Sequence, residues 1–324
     1  MNTPEFLLSQ IHREMQNISL GNNPAELYEP ISYTLGMGGK RIRPLLCLMS
    51  CELFDGDFKD ALYPAIGIEI FHNFTLLHDD IMDNAPLRRS MPTVHQKWNS
   101  NVAILSGDAM LVKAYQMMMK VREPILLKVL ETFSECALRV CEGQQLDMNY
   151  ERNDGISIEQ YIEMIGMKTA ALLGASLSIG AIIAKASSVQ VSQIELFGRN
   201  LGIAFQLYDD ILDVYGESDK FGKQPGGDIL ADKKTFLLLK AIELSEKRNT
   251  KEIRAWIGKQ NVDPKEKIAA VTEIYNDLGI KELATHTASG YLEKAFSSLR
   301  NLPVSSDSKE PLLKLTASLL GREN

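Results

Sequence analysis

The chain has 324 residues, 45% of them hydrophobic, and a formal net charge of −7. Such a length and apolar content allow a sizeable core, as one large domain or two. The acidic balance argues against nonspecific binding to nucleic acid or anionic membranes, so an anionic ligand would need a local cluster of Lys, Arg or metal.

In chain order, helical apolar spacing covers residues 4–18 and 24–35, separated by the turn-rich Ser19-Leu20-Gly21-Asn22-Asn23-Pro24. Next comes Gly36-Met37-Gly38-Gly39-Lys40-Arg41-Ile42-Arg43-Pro44. Its glycines open the backbone to close approach, its cations suit an anion, and Pro44 suits the first turn of a helix running to about 53. By itself it also reads as a solvated basic turn. A long helix, about 58–83, ends in Asp79-Asp80-Ile81-Met82-Asp83, and a loop with the paired arginines Arg88 and Arg89 follows. Helices are expected over 101–122, from Pro124 to about 149, and after Ser157, which forms a capping box with Gln160. The uncharged run Thr169 to Ala184 reads as a buried helix rather than a membrane span. A long helix over 188–216 carries Asp209-Asp210-Ile211-Leu212-Asp213. Beyond it lie a Gly-rich, Lys-bearing loop, Phe221 to Asp228, then Lys233-Lys234-Thr235 at a helix start, and amphipathic helices to the end. No segment alternates convincingly as a strand. The chain reads as all-α, one domain over 1–324.

Four cysteines, Cys47/Cys51 and Cys136/Cys141, form no Cys-x-x-Cys and read as reduced thiols. With no basic stretch and apolar run at the N-terminus, the expectation is a cytoplasmic protein without stable membrane insertion.

The two acidic clusters organise the rest. On a helix Asp79 and Asp83 are i,i+4 neighbours, and Asp80 and Asp83 are i,i+3 neighbours; Asp209, Asp210 and Asp213 repeat the arrangement. Like charges so placed destabilise a bare helix, and the first cluster also sits at the negative end of a helix dipole. A hard divalent cation reverses both effects. Mg²⁺ is commonly held by one or two carboxylates, waters and substrate phosphates, so two such clusters suit a diphosphate. A chance surface cluster explains one copy more easily than two.

From about 36 to 237 the chain resembles the trans-isoprenyl diphosphate synthases (polyprenyl synthetases). The resemblance runs in order through Gly39 to Pro44, Glu69-Ile70-Phe71-His72, the first acidic motif, Arg88-Arg89, Ser106-Gly107-Asp108-Ala109, Gly143-Gln144, Lys168-Thr169, Phe205-Gln206, the second acidic motif, and Lys223 to Thr235. Ser90 and Asp232 stand where that family usually has glycine, and Leu237 where proline is common.

The resemblance implies a bundle of mostly antiparallel helices around a deep central cavity, the isoprenoid synthase fold, usually as a homodimer. It implies head-to-tail condensation of isopentenyl diphosphate with allylic diphosphates, giving all-trans products of fifteen to twenty carbons, farnesyl or geranylgeranyl diphosphate. Asp79, Asp83 and Asp209 would ligate about three Mg²⁺ ions, with Mn²⁺ able to substitute, supported by Asp80, Asp210 and Asp213. Arg88, Lys168, Lys223 and Lys233 would contact the allylic diphosphate, and Lys40, Arg43, His72 and Arg89 that of isopentenyl diphosphate. Thr169 and Gln206 would border the reacting carbons. Phe74, with Thr75 beside it, would floor the cavity that receives the growing chain. In isolation His72 reads as a packed helix histidine, Phe74 as core and Gln206 as a satisfied buried amide. A class I terpene cyclase or a non-catalytic prenyl-diphosphate-binding subunit are the alternatives; the intact second motif with Lys40, Arg43 and Arg89 disfavours the first, and the six retained carboxylates disfavour the second.

Overall fold

The computed structural model describes residues 2–153, 155–216, 226–259 and 261–320. It is all-helical apart from one two-residue ribbon. Two compact units are distinguished, Met1–Cys136 with Leu172–Glu195 and Leu299–Ser318, and Ala137–Ala171 with Leu196–Ser298 and Leu319–Asn324.

The first unit is built on helix α4, Phe58–Met82, packed against α3, Ile42–Leu53, and α6, Ser100–Met118. Asp57 caps α4 by accepting from the Lys59 N–H at 3.0 Å. From Ala65 to Phe71 every residue of α4 is buried, so the helix is covered all round rather than on one stripe. Gly67 permits this, since a Cβ there would meet the Ala114 carbonyl of α6 at 3.0 Å. Glu69 is the charged residue in that run, and it is answered. Arg41, also buried, donates to Glu69 and to the Leu35 carbonyl at 2.7 Å, and Asn73 Nδ2 donates to Glu69 Oε1 at 3.0 Å.

The loop after α4 differs from expectation. Leu87–Arg88 and Met91–Pro92 pair as an antiparallel ribbon, with Arg89 and Ser90 as its two-residue turn. Both turn residues are left-handed, with φ of 52° and 62°, the signature of a type I′ turn. Such a turn favours glycine at its second position, where this chain has Ser90. Ser90→Gly is therefore expected to raise stability by about 1 kcal/mol, read as a higher urea midpoint with an unchanged slope.

The second unit has its own core, in which Ile165, Leu207, Ile211, Leu237, Tyr275, Ala284 and Ala288 are buried together. Leu237, where proline is common in the resembling family, is 1% exposed, so it adds a core side chain in the first turn of Phe236–Lys247. The Ser157–Gln160 capping box forms as expected, at 3.2 and 2.9 Å, and starts α8, Ile158–Ile165. A single π-helical turn, Gly166–Ala170, joins α8 to α9, Ala171–Ile183. The whole stretch Ile158–Ile183 is long and apolar enough to cross a bilayer, with mean hydropathy 1.5, yet 83% of its apolar window is buried in the fold, as in a core helix.

All four cysteines are free thiols. Burial raises Cys47 well above the usual thiol range and pushes Cys51 up to about 12, which keeps both in the unreactive protonated form.

Candidate active site

In the first unit the acidic motif closes α4, with Asp83 as its C-cap. Its three carboxylates are not equivalent. Asp80 is buried and gripped by Arg88, whose Nε lies 2.8 and 2.9 Å from the two carboxylate oxygens and whose Nη2 lies 2.7 Å from Oδ1. Asp79 is half-buried, 4.0 Å from the same guanidinium, and Asp83 is exposed. The ribbon explains why the two arginines diverge. Arg88 ends the first strand and turns to Asp80, whereas Arg89 lies in the turn and donates to the Gly38 carbonyl. Gly39 makes room for it, because a Cβ there would stand 2.9 Å from the Arg89 guanidinium.

In the basic stretch that leads into α3, Arg41 is paired with Glu69. Arg43 Nη1 lies 3.2 Å from His72 Nε2. Burial, then the surrounding Arg43, Arg89, Arg88 and Arg41, hold His72 well below its ordinary pKa. The imidazole is thus neutral and Nε2 accepts from Arg43. Phe74 is buried, with its ring 5.5 Å from Phe71 and 4.8 Å from His78, while the Thr75 hydroxyl donates to the His72 carbonyl at 2.8 Å. His78 fits because Gly107 has no Cβ; an added one would overlap the imidazole.

In the second unit Lys168 and Thr169 lie on the π turn, a feature frequent at functional sites. Two glycines let neighbouring helices approach it. A Cβ at Gly143 of α7, Leu126–Glu151, would overlap the Lys168 backbone nitrogen, and one at Gly202 of α10, Ser188–Tyr215, would lie 2.6 Å from Ala170 Cα. Lys168 Nζ pairs with Asp147 Oδ2 at 2.6 Å. The Thr169 hydroxyl donates to Gln206 Oε1 at 3.0 Å, Gln206 Nε2 donates to Asp210 Oδ1 at 3.0 Å, and the Tyr161 hydroxyl donates to Asp210 Oδ2. Burial pushes Asp210 up to about 7 despite these bonds. Asp213 accepts from the Asp228 N–H at 2.9 Å, fixing the short helix Gly227–Leu230, whereas Asp209 is exposed. Lys233 follows that helix, with Nζ 3.9 Å from Asp228 Oδ1. Lys223 lies outside the described residues.

The donor chemistry fits a hard divalent cation: each motif carries carboxylate oxygens, with no thiol or imidazole among them. Among the described residues no group of three His, Cys, Asp or Glu side chains gathers into a metal cage.

Sequence reasoning did not find Tyr161, Asp147, Asn73 or the Arg41–Glu69 pair. Tyr161 stands seven residues before Lys168, two helical turns away, which offers a weak signal that the π turn further distorts. Asp147 is visible as the i+4 neighbour of Gly143.

The sequence pattern of the polyprenyl synthetase family matches residues 24–276. The chain belongs to that family. It is 37% identical to a geranylgeranyl diphosphate synthase of Sulfolobus acidocaldarius, over 90% of this chain and 89% of that one. A crystal structure of a geranylgeranyl pyrophosphate synthase superposes with a TM-score of 0.96 at 41% identity, covering 99% of both chains. A polyprenyl synthase of Caulobacter crescentus, complexed with calcium and isoprenyl diphosphate, superposes with a TM-score of 0.88 at 28% identity, covering 99% of this chain and 96% of that one. Within the polyprenyl synthetase family the left-handed φ at Ser90 and at Asp232, where φ is 51°, gives a physical reason for the usual glycines.

Proposed function

We propose that this polyprenyl synthetase condenses isopentenyl diphosphate head-to-tail with allylic diphosphates, in the presence of Mg²⁺ or Mn²⁺, and releases an all-trans product and pyrophosphate. The observation that carries the reading is the parallel division of labour in the two acidic motifs. In each, the middle carboxylate is buried and hydrogen-bonded by the protein, while the first lies nearer solvent. The relatives named above favour twenty carbons, within the range of fifteen to twenty that the sequence suggests. Divalent ions, when bound, supply electrostatic stabilisation of the departing pyrophosphate. Asp79, Asp83 and Asp209 would hold them, and Lys168 and Lys233 would bind the allylic diphosphate. Lys40, Arg43 and Arg89 would take the second diphosphate, with neutral His72 orienting Arg43.

The free thiols fit a cytoplasmic protein. A homodimer is supported by α6, where Leu105 and Val112, seven residues apart, are 60% and 57% exposed and so present an apolar stripe suited to a second copy. The central test uses the purified chain with labelled isopentenyl diphosphate and dimethylallyl, geranyl or farnesyl diphosphate. Chain elongation that stops on adding EDTA is expected. No elongation from any starter, or undiminished elongation under EDTA, overturns the reading.

The two arginines should separate by substrate. Arg89→Ala is expected to raise KM for isopentenyl diphosphate by roughly tenfold or more, because a charge-assisted bond contributes about 1.5–3 kcal/mol. Arg88→Ala should act on the allylic substrate, and should also lower stability because it strips buried Asp80 of its guanidinium. Equal kinetic effects on both substrates from both variants would contradict the assignment.

Product length is tested at Phe74. If its ring limits the growing chain, Phe74→Ala gives longer products with modest loss of stability. If the ring only packs with Phe71 and His78, the variant loses about 3–5 kcal/mol and its products are unchanged. The first outcome is expected; chromatography of the products and a denaturation curve separate the two.

A further inference from the structure

We infer that Tyr161 is a positioning residue for the reaction: through Asp210 it fixes the side-chain amide of Gln206, and through that amide the hydroxyl of Thr169. The inference rests on the condensation reading above and adds to it a residue outside the acidic motifs.

The argument follows donors and acceptors. Tyr161 is 2% exposed, and its hydroxyl donates to Asp210 Oδ2. Asp210 is 3% exposed, and its other oxygen accepts from Gln206 Nε2 at 3.0 Å. In this arrangement both carboxylate oxygens accept, and the amide turns its nitrogen to Asp210 and its oxygen away. That oxygen receives the single Thr169 hydroxyl proton at 3.0 Å. The Thr169 oxygen is left presenting lone pairs to any other neighbour, a polarity suited to positive charge. Each link depends on the one before it. Without the phenol, Oδ2 loses its buried donor and the carboxylate can turn about its own axis. The amide can then reverse, and the Thr169 proton has no assigned acceptor.

A tyrosine that merely filled space would tolerate phenylalanine. Supporting groups of this kind, acting one step removed from the reacting atoms, change rates by tenfold to a hundredfold in metal sites. The lower end is expected here because Asp210 keeps its bond to Gln206.

The experiment compares the wild type, Tyr161→Phe, Thr169→Val and the double variant in the elongation assay. Tyr161→Phe is expected to lower kcat about tenfold. Both substrate KM values and the Mg²⁺ concentration for half-maximal rate should stay nearly unchanged, while the melting temperature falls because buried Oδ2 loses its donor. In the Thr169→Val background the same change is expected to add less than about twofold, since the proton it would misplace is gone. Multiplying losses, or an effect confined to KM or Mg²⁺ dependence, overturns the proposal. A second measurement needs neither substrate nor metal. The Gln206 side-chain amide resonance of ¹⁵N-labelled protein should move in Tyr161→Phe, or, if that variant does not fold, with 3-fluorotyrosine at position 161. An unmoved resonance also overturns it. A wild-type protein without turnover would refute the condensation reading instead, while the resonance still judges Tyr161.

Discussion

Asp209→Ala is expected to lower kcat by at least about a hundredfold, the scale of losing one major electrostatic contact in a transition state, with the melting temperature little changed. The same holds for Asp79→Ala. Asp209 is exposed and Asp79 half-buried, so their helices do not depend on them for packing. Like charges beside them even weaken the helix ends, and removing one relieves that. The middle carboxylates should behave in the opposite way. Asp80→Ala leaves Arg88 without its closest partner, and Asp210→Ala leaves Tyr161 and Gln206 with unmet donors, so both variants should lose stability as well as rate. Steady-state kinetics over a Mg²⁺ series, with thermal melts of the same samples, checks the contrast. A change in Asp209→Ala confined to a few-fold in KM would remove it from the proposed ligands.

The second large effect is expected at Glu69. Its pair with Arg41 is almost wholly inside the protein, with side chains 3% and 5% exposed. Breaking such a pair by deleting one partner leaves an uncompensated buried charge, at a cost of about 3–5 kcal/mol. Glu69→Ala should therefore lower the unfolding free energy by that amount in urea titration. Asn73 would lose its Oε1 acceptor at the same time and keep the residue-69 carbonyl, 2.8 Å away. Replacing both members with apolar residues of similar volume, as in Arg41→Met with Glu69→Leu, should recover most of the loss. A loss below about 1 kcal/mol in Glu69→Ala would mean that the Arg41 guanidinium reaches water when its partner is removed. Since Lys40 and Arg43 flank Arg41, the single variant should also weaken isopentenyl diphosphate binding, and the double variant should restore part of it.

Most of the helical architecture was legible because apolar periodicity and capping residues agree. Asp57, Ser157 and Pro44 mark helix starts within two residues of where they occur. The helix expected over 101–122 ends earlier, at Met118, because a run of apolar and basic side chains carries no strong stop signal. The acidic motifs were legible as motifs, since their helical spacing is written in the residue order. Their internal hierarchy was not. Whether Asp80 is gripped by Arg88 or Asp210 by Tyr161 depends on residues brought near by the fold. The ribbon was missed because Arg89-Ser90 lacks the Asn-Gly signature of its turn, and two-residue strands have no room to alternate. The π turn was missed for a related reason: Gly166-Met167-Lys168-Thr169-Ala170 has ordinary helical composition, and what marks the turn is the pair of facing glycines on other helices.

The two positions where this chain departs from the family's glycine have different evolutionary prospects. Ser90 makes no hydrogen bond among the described residues, so glycine could return there and relieve the backbone at no cost in contacts. Asp232 is tied in by two partners. Its carboxylate holds Lys267, only 7% exposed, at 2.8 Å and accepts from the Gly258 N–H at 2.9 Å. A reversion there would ease a left-handed residue by about 1–2 kcal/mol while stranding a buried ammonium and a backbone donor. A change at Asp232 is therefore tolerated readily only together with a change at Lys267, so the two sites are coupled even though each is remote in sequence from the other.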